Sequence, residues 1–196
     1  MNTQSITVRH PLDLSIGTSL LSLKRWRKMF KVIDNFLDKE SFLKLQYELL
    51  FSRNFPWYFQ DMKDLEYVDK KNESDLNQAQ FTHVIYSDHK PTSEWFPVIQ
   101  PLLNKLKVKS LITIKANIIP YSPKFYEGYF HRDTALSCLN AIYYVNTNNG
   151  YTRFEKNNKK VESKENRIVI FDSHLNHRGT NTTDQKKRVV LNTNYF

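Results

Sequence analysis

The chain reads as an α+β protein, mainly β: a barrel built from its second half, with helices from its first half packed on one sheet. Three observations predict this. β-prone runs recur after residue 110, at 111–121, 138–145, 167–171 and 188–196. The turn-rich stretch Asn146-Thr147-Asn148-Asn149-Gly150 follows the second of these runs. Both amphipathic helical patterns lie before residue 107.

Taken in order, residues 1–25 read as an irregular lead-in and 26–196 as one domain. Phe30 to Leu37 is expected to form a strand and a turn. Asp38 can cap a helix running to about Arg53, with Phe42, Leu43, Leu45, Leu49 and Leu50 on its apolar face. Residues 54–80 hold Trp57, Tyr58, Phe59 and several acids without a clear period. They read as a long loop with short strands, a candidate lid or substrate wall. Thr92 or Ser93 can cap a second helix carrying Trp95, Val98, Ile99, Leu102, Leu103 and Leu106. Pro97 suits its first turn, whereas Pro101 should bend or interrupt it. Residues 156–160 read as a solvated basic hairpin tip.

Composition excludes several classes. The 196 residues, 40% hydrophobic and 14% aromatic, suffice for a folded core. The single cysteine, Cys138, permits neither a disulfide framework nor a cysteine metal cluster, and its apolar setting points to packing. There is no basic-then-apolar leader and no apolar run of membrane-spanning length, so a cytoplasmic protein with no membrane partner is expected. The net charge of +9 admits nucleic acid as a partner. The densest basic cluster, 24–31, interleaves Lys24, Arg25, Arg27 and Lys28 with Trp26 and Phe30. A solvated flank with its aromatics turned inward is the preferred reading of that cluster.

The chemistry concentrates in His131-Arg132-Asp133, His177 and Arg188. On an extended segment, residues i and i+2 share a face, so His131 and Asp133 can offer a nitrogen and an oxygen to one ion. A second imidazole from His177 completes a facial set with open positions, which suits Fe(II) oxygen chemistry. Arg188 adds a planar cation suited to a carboxylate. His174 is the rival third ligand, and Asp172 with His174 forms another i, i+2 pair. His177 is preferred because Gly179 behind it allows a sharp turn and Arg188 follows eleven residues later.

With those residues in place, the chain from about residue 30 onward resembles the 2-oxoglutarate- and Fe(II)-dependent dioxygenases, most closely their prolyl-4-hydroxylase-like branch. The resemblance implies a double-stranded β-helix (a cupin-like jelly roll) with His131, Asp133 and His177 as metal ligands. It implies that Arg188 holds the distal carboxylate of 2-oxoglutarate. A tyrosine ten residues before the first histidine matches Tyr121, and the segment Tyr143-Tyr144-Val145-Asn146 matches a strand on which Tyr144 would help hold the co-substrate. Many members carry Arg-x-Ser at the anchor, where this chain has Arg188-Val189-Val190. The implied activity is hydroxylation of a substrate C–H bond using O2, with 2-oxoglutarate decarboxylated to succinate and ascorbate as a candidate reductant. A prolyl-type residue in a peptide or protein is the first substrate candidate. Oxidation or demethylation of a nucleic-acid base is the second, and a catalytically silent binding barrel the third. The Lys- and Asn-rich, Gly-poor composition is similar to that of small oxygenases of tailed phages and AT-rich bacteria, and a phage origin would make the compartment a host cytoplasm.

Overall fold

The structure, a computed structural model, describes residues 30–60 and 79–196. The lead-in 1–25, the Lys24–Lys28 part of the basic cluster and most of the segment expected to form a lid lie outside the described residues.

Strand β1 (Phe30–Ile33) leads to helix α1 (Lys39–Leu50). Asp38 caps α1 as expected: its side-chain Oδ1 accepts from the Ser41 amide at 2.9 Å. The helix is shorter than the expected run to Arg53. The amides of both Phe51 and Ser52 turn onto the Tyr47 carbonyl, each at 2.9 Å, and this closes the last turn. Its buried stripe is Phe42, Leu45 and Leu49, while Leu43, expected on the apolar face, is 48% exposed. The second helical region is split. A 3-10 turn (Phe96–Ile99) passes into α2 (Gln100–Leu106), and Pro97 and Pro101 each fall in the first turn of their own element. Neither Thr92 nor Ser93 makes a helix cap, although Ser93 Oγ accepts from the Trp95 amide at 3.1 Å.

The remaining strands are β2 (Tyr58–Gln60), β3 (Gln80–Ser87), β4 (Lys90–Pro91), β5 (Leu111–Pro120), β6 (Leu139–Tyr144), β7 (Tyr151–Phe154), β8 (Lys160–Glu162), β9 (Arg167–Asp172), β10 (His177–Gly179) and β11 (Lys187–Tyr195). They form two antiparallel sheets. The larger has the order β1-β9-β6-β11-β5-β3-β2, with β4 on β3, and the smaller has the order β10-β7-β8. From β6 onward the chain passes back and forth between them, from β6 to the β7–β8 hairpin, back to β9, out to β10 and back to β11, and the architecture is a double-stranded β-helix. The expected tip at 156–160 joins β7 to β8.

Side-chain alternation sorts the larger sheet into two faces. Ile114, Ala116, Leu139, Ala141, Tyr143, Ile168, Ile170, Val189 and Leu191 face outward and pack on Leu45, Leu49, Leu102 and Leu103 of the helices. The intervening Ile142, Tyr144, Val169, Phe171 and Val190 face inward and pack on Phe154 and Val161 of the smaller sheet. Cys138 is buried beside this core. Among the described residues, no helix is long and apolar enough to cross a membrane. At the open end of the sandwich the inward positions stop being apolar, and the candidate site begins there.

Candidate functional site

His131 and His177 are cross-strand partners. Each backbone amide donates to the other's carbonyl at 3.0 Å, in an antiparallel bridge just ahead of β6. Residues directly opposite one another in such a pair project to the same side. The two imidazoles accordingly lie 4.8 Å apart, centroid to centroid. Asp133, two positions after His131, returns to the same face. The donor atoms of His131, Asp133 and His177 all lie within 4.8 Å of one another.

The donors are oriented for a shared ion. His131 Nδ1 lies 3.0 Å from the Tyr129 carbonyl and His177 Nδ1 lies 3.3 Å from that of Leu175. A carbonyl only accepts, so both Nδ1 atoms carry the proton in these bonds and both Nε2 lone pairs are turned inward. Each Nε2 is 3.6 Å from an oxygen of Asp133, too long for a hydrogen bond. A cation with ligand bonds of about 2.1 Å would bridge either gap and remove the repulsion between facing lone pairs. Burial alone would raise the Asp133 carboxyl, but the positive charge that the His177 and His131 rings carry when protonated, together with the Lys115 ammonium, holds it below its ordinary range. Asn140 on β6 steadies the carboxylate, its Nδ2 donating to Asp133 Oδ2 at 3.1 Å. Beneath His177 lie the rings of Phe171, at 4.9 Å, and Phe154, at 6.0 Å. His174 is outside this group. It is exposed, and its Nε2 meets Ser137 Oγ at 2.8 Å.

Arg188 lines the same cavity, which measures about 260 Å³. It is 2% exposed. Its Nε donates to Ser163 Oγ at 2.8 Å and its Nη2 to Thr152 Oγ1 at 3.2 Å, and no carboxylate pairs with it among the described residues. Burial pulls the guanidinium below its ordinary range, though arginine remains cationic at neutral pH. A buried cation bonded only to neutral hydroxyls is set up to receive an anion. Two glycines leave it room. A Cβ on Gly150 would stand 2.7 Å from Arg188 Cδ, and one on Gly179 would stand 3.4 Å from Nη1.

Tyr144 is fully buried, and its hydroxyl donates to Thr152 Oγ1 at 2.8 Å, so it meets Arg188 through a shared threonine. Tyr121 is 52% exposed, just past the end of β5, and is not among the residues lining the cavity. Phe125, Tyr126 and Phe130 also lie off the lining, while Tyr129 is on it. Sequence reasoning missed Asn140, Thr152, Ser163 and Gly150. It also missed a clamp on the outer side of β10, where Glu127 bonds Tyr151, Arg153 and Arg178, with the Arg178 guanidinium 4.3 Å over the Phe130 ring. Burial opposes ionisation of Glu127, but the Tyr151 and Arg153 bonds and the Arg178 charge hold its carboxyl below the usual range.

No protein-family model and no curated protein matches the chain by sequence. Solved structures do match its fold. A prolyl hydroxylase from Trichoplax adhaerens, in complex with a hypoxia inducible factor oxygen degradation domain peptide fragment, aligns over 93% of this chain and 94% of its own at 14% identity and TM-score 0.59. A 2OG-Fe(II) oxygenase family oxidoreductase from Burkholderia pseudomallei aligns over 88% of each chain at 9% identity and TM-score 0.63. A viral collagen prolyl hydroxylase from Paramecium bursaria Chlorella virus-1, as a 2OG complex, aligns over 85% of this chain and 94% of its own at 13% identity and TM-score 0.54. The chain therefore has the double-stranded β-helix fold of prolyl hydroxylases and 2OG-Fe(II) oxygenases.

Proposed function

We propose that the protein is an Fe(II)- and 2-oxoglutarate-dependent dioxygenase that hydroxylates a C–H bond of a peptide substrate, with a prolyl-type residue as first candidate. The observation that carries this reading is the meeting, in one cavity, of a donor set of two imidazoles and one carboxylate with a buried arginine that has no acidic partner among the described residues. His131, Asp133 and His177 would hold the iron, and Arg188 the far carboxylate of 2-oxoglutarate. With O2, the iron and the co-substrate supply the oxidising chemistry. The chain's residues bind, orient and exclude water. Phe154 and Phe171 keep the His177 side dry, and Asn140 and the two Nδ1 bonds fix the donors. Tyr144 would act on the co-substrate through Thr152 and Arg188, whereas Tyr121 lies off the cavity lining.

The peptide preference is supported by the bound peptide fragment of the Trichoplax prolyl hydroxylase. The nucleic-acid alternative rests on a basic cluster largely outside the described residues. We assign residues 26–196 to one catalytic domain. A reducing cytoplasm suits both Fe(II) and the buried Cys138 thiol.

The test is a titration followed by turnover. The purified protein should take up one Mn(II) and then 2-oxoglutarate under nitrogen. With Fe(II), O2 and ascorbate it should form succinate faster when proline-containing peptides are added. A protein that binds neither Mn(II) nor 2-oxoglutarate is not this enzyme. Stimulation by DNA or RNA, with none by peptides, moves the reading to base oxidation.

A further inference from the structure

One wall of the cavity has no part in holding iron or 2-oxoglutarate under that reading. It is the stretch where β5 meets β11. Lys115 stands in register with Asn192, and Thr113 with Asn194. All four line the cavity. Asn194 Nδ2 donates to Thr113 Oγ1 at 2.8 Å. The side-chain oxygens of Asn192 and Asn194 are buried with no hydrogen-bond partner among the described residues. Unpaired buried acceptors are costly, and such groups persist where something else is meant to meet them. Lys115 is exposed within the lining and makes no ion pair or hydrogen bond among the described residues.

Charge points the same way. A divalent ion is balanced by Asp133 and the near carboxylate of 2-oxoglutarate. The far carboxylate is balanced by Arg188. Among the described residues Asp133 is the only acid in the lining, and the ion would take up its charge, so the Lys115 ammonium, which otherwise acts on Asp133, is left over. Arg132, also in the lining, carries a second such charge, but it is exposed and its Nε is held by Asn176 Oδ1 at 2.9 Å.

We infer that the Lys115–Asn192–Asn194 wall is the substrate subsite, and that it takes a substrate bearing a carboxylate with an N–H donor close by. The Lys115 ammonium holds the acid, and the two asparagine oxygens accept the N–H. This rests on the dioxygenase reading, because the charge left on Lys115 is counted with metal and co-substrate in place. The same chemistry comes from two sources: an acidic residue flanking the oxidised residue in a peptide, or the α-carboxylate of a free amino acid.

The experiment is calorimetry on the full chain loaded with Mn(II) and 2-oxoglutarate under nitrogen, so that the Arg188 pocket is filled. One pair of probes is a capped tripeptide with a central proline flanked by aspartate, against its asparagine counterpart. The other pair is free L-proline against L-prolinamide. In one pair the acid should bind about 10- to 100-fold more tightly than the amide, the range of a charge-assisted contact. The pair that responds identifies the source. Lys115→Met should erase the preference and Lys115→Glu should reverse it. Asn192→Leu should weaken acid and amide by similar factors. Lys115 is exposed, so these charge variants should fold, and their Mn(II) affinity should stay within about threefold because the charge is screened by solvent. Acid and amide binding alike in both pairs, no binding of any probe to the loaded protein, or a preference that survives Lys115→Met each overturn this inference alone. Failure of the parent to take up Mn(II) or 2-oxoglutarate overturns the functional reading, and this inference with it.

Discussion

Gly150 and Arg188 occupy one space: a methyl group on Gly150 would stand 2.7 Å from Arg188 Cδ and 2.6 Å from the Asn181 carbonyl. No glycine in the described chain has a positive φ, so Gly150 is required by close approach and not by backbone conformation. Gly150→Ala should cost about 1–3 kcal/mol of stability through overpacking. It should also weaken 2-oxoglutarate binding while leaving Mn(II) affinity nearly intact. Thermal melts and paired titrations read the two effects separately. Unchanged co-substrate affinity would show that the arginine can move aside at no cost.

His131→Ala, Asp133→Ala and His177→Ala should each abolish tight Mn(II) binding and turnover. His174→Ala should retain both, since that ring is engaged with Ser137 at the surface. Metal titration of the four variants decides the matter. A dead His174→Ala beside an active His177→Ala would reassign the third ligand.

Arg188→Ala should weaken 2-oxoglutarate binding by about 2–5 kcal/mol, because the anion would be left in a buried pocket without its cation. Metal affinity should change little. Tyr144→Phe should give a smaller loss of the same kind, as Thr152 would lose one of its donors while keeping Arg188. Equal co-substrate affinity in Arg188→Ala and the parent would refute the anchor.

Asn140→Ala removes the bond that steadies Asp133 without touching a ligand. Mn(II) affinity should fall about 10- to 100-fold, as is usual when an outer partner of a ligand is lost. Asn140→Asp should be worse than Ala, because it sets a second carboxylate against the first. Wild-type affinity in both variants would make Asn140 a packing residue only.

Asp34 ties the end of β1 to β9. Arg167 Nε reaches Asp34 Oδ1 at 2.6 Å and Lys164 Nζ reaches Oδ2 at 3.0 Å. The Arg167 and Lys164 bonds lower its carboxyl from 3.8 to about 2. The folded state therefore holds fewer protons than the unfolded chain over this range. The stabilisation is complete above the unfolded value of 3.8 and is lost as pH falls toward about 2. The carboxylate is 37% exposed, so solvent screening limits the contribution to about 0.5–1 kcal/mol. Denaturant midpoints of Asp34→Asn and the parent should differ at pH 6 and converge near pH 2.

Much of this was legible in the sequence for identifiable reasons. The runs around Ile114, Ile142, Ile170 and Leu191 alternate or stay apolar over strand length, and each became a strand of the larger sheet. Asp38 sits where a cap must, and Ser41 meets it. The His131–Asp133 convergence follows from backbone parity alone. Strand β3 was not legible, because Thr82 and His83 interrupt its apolar pattern. They are buried for different reasons: Thr82 lines the cavity, while His83 bonds the Pro56 carbonyl at 2.7 Å and Ser93 at 2.8 Å. Asn140, Thr152 and Ser163 carry no local signature. Their roles depend on partners brought close only by the sheets. The same holds for Leu43, whose exposure depends on which side of α1 the sheet covers.

The reciprocal amide bonds between His131 and His177 have a consequence for assembly. Two of the three donors face each other across that rung of the ladder, and the rung joins segments far apart in the chain. Ion capture should therefore reinforce the closed barrel mouth. An ion lost is a rung loosened, and the amide protons of these two histidines should trade with solvent faster in metal-free protein than in the loaded form. Exchange at the barrel's rim should then read out how fully the site is loaded.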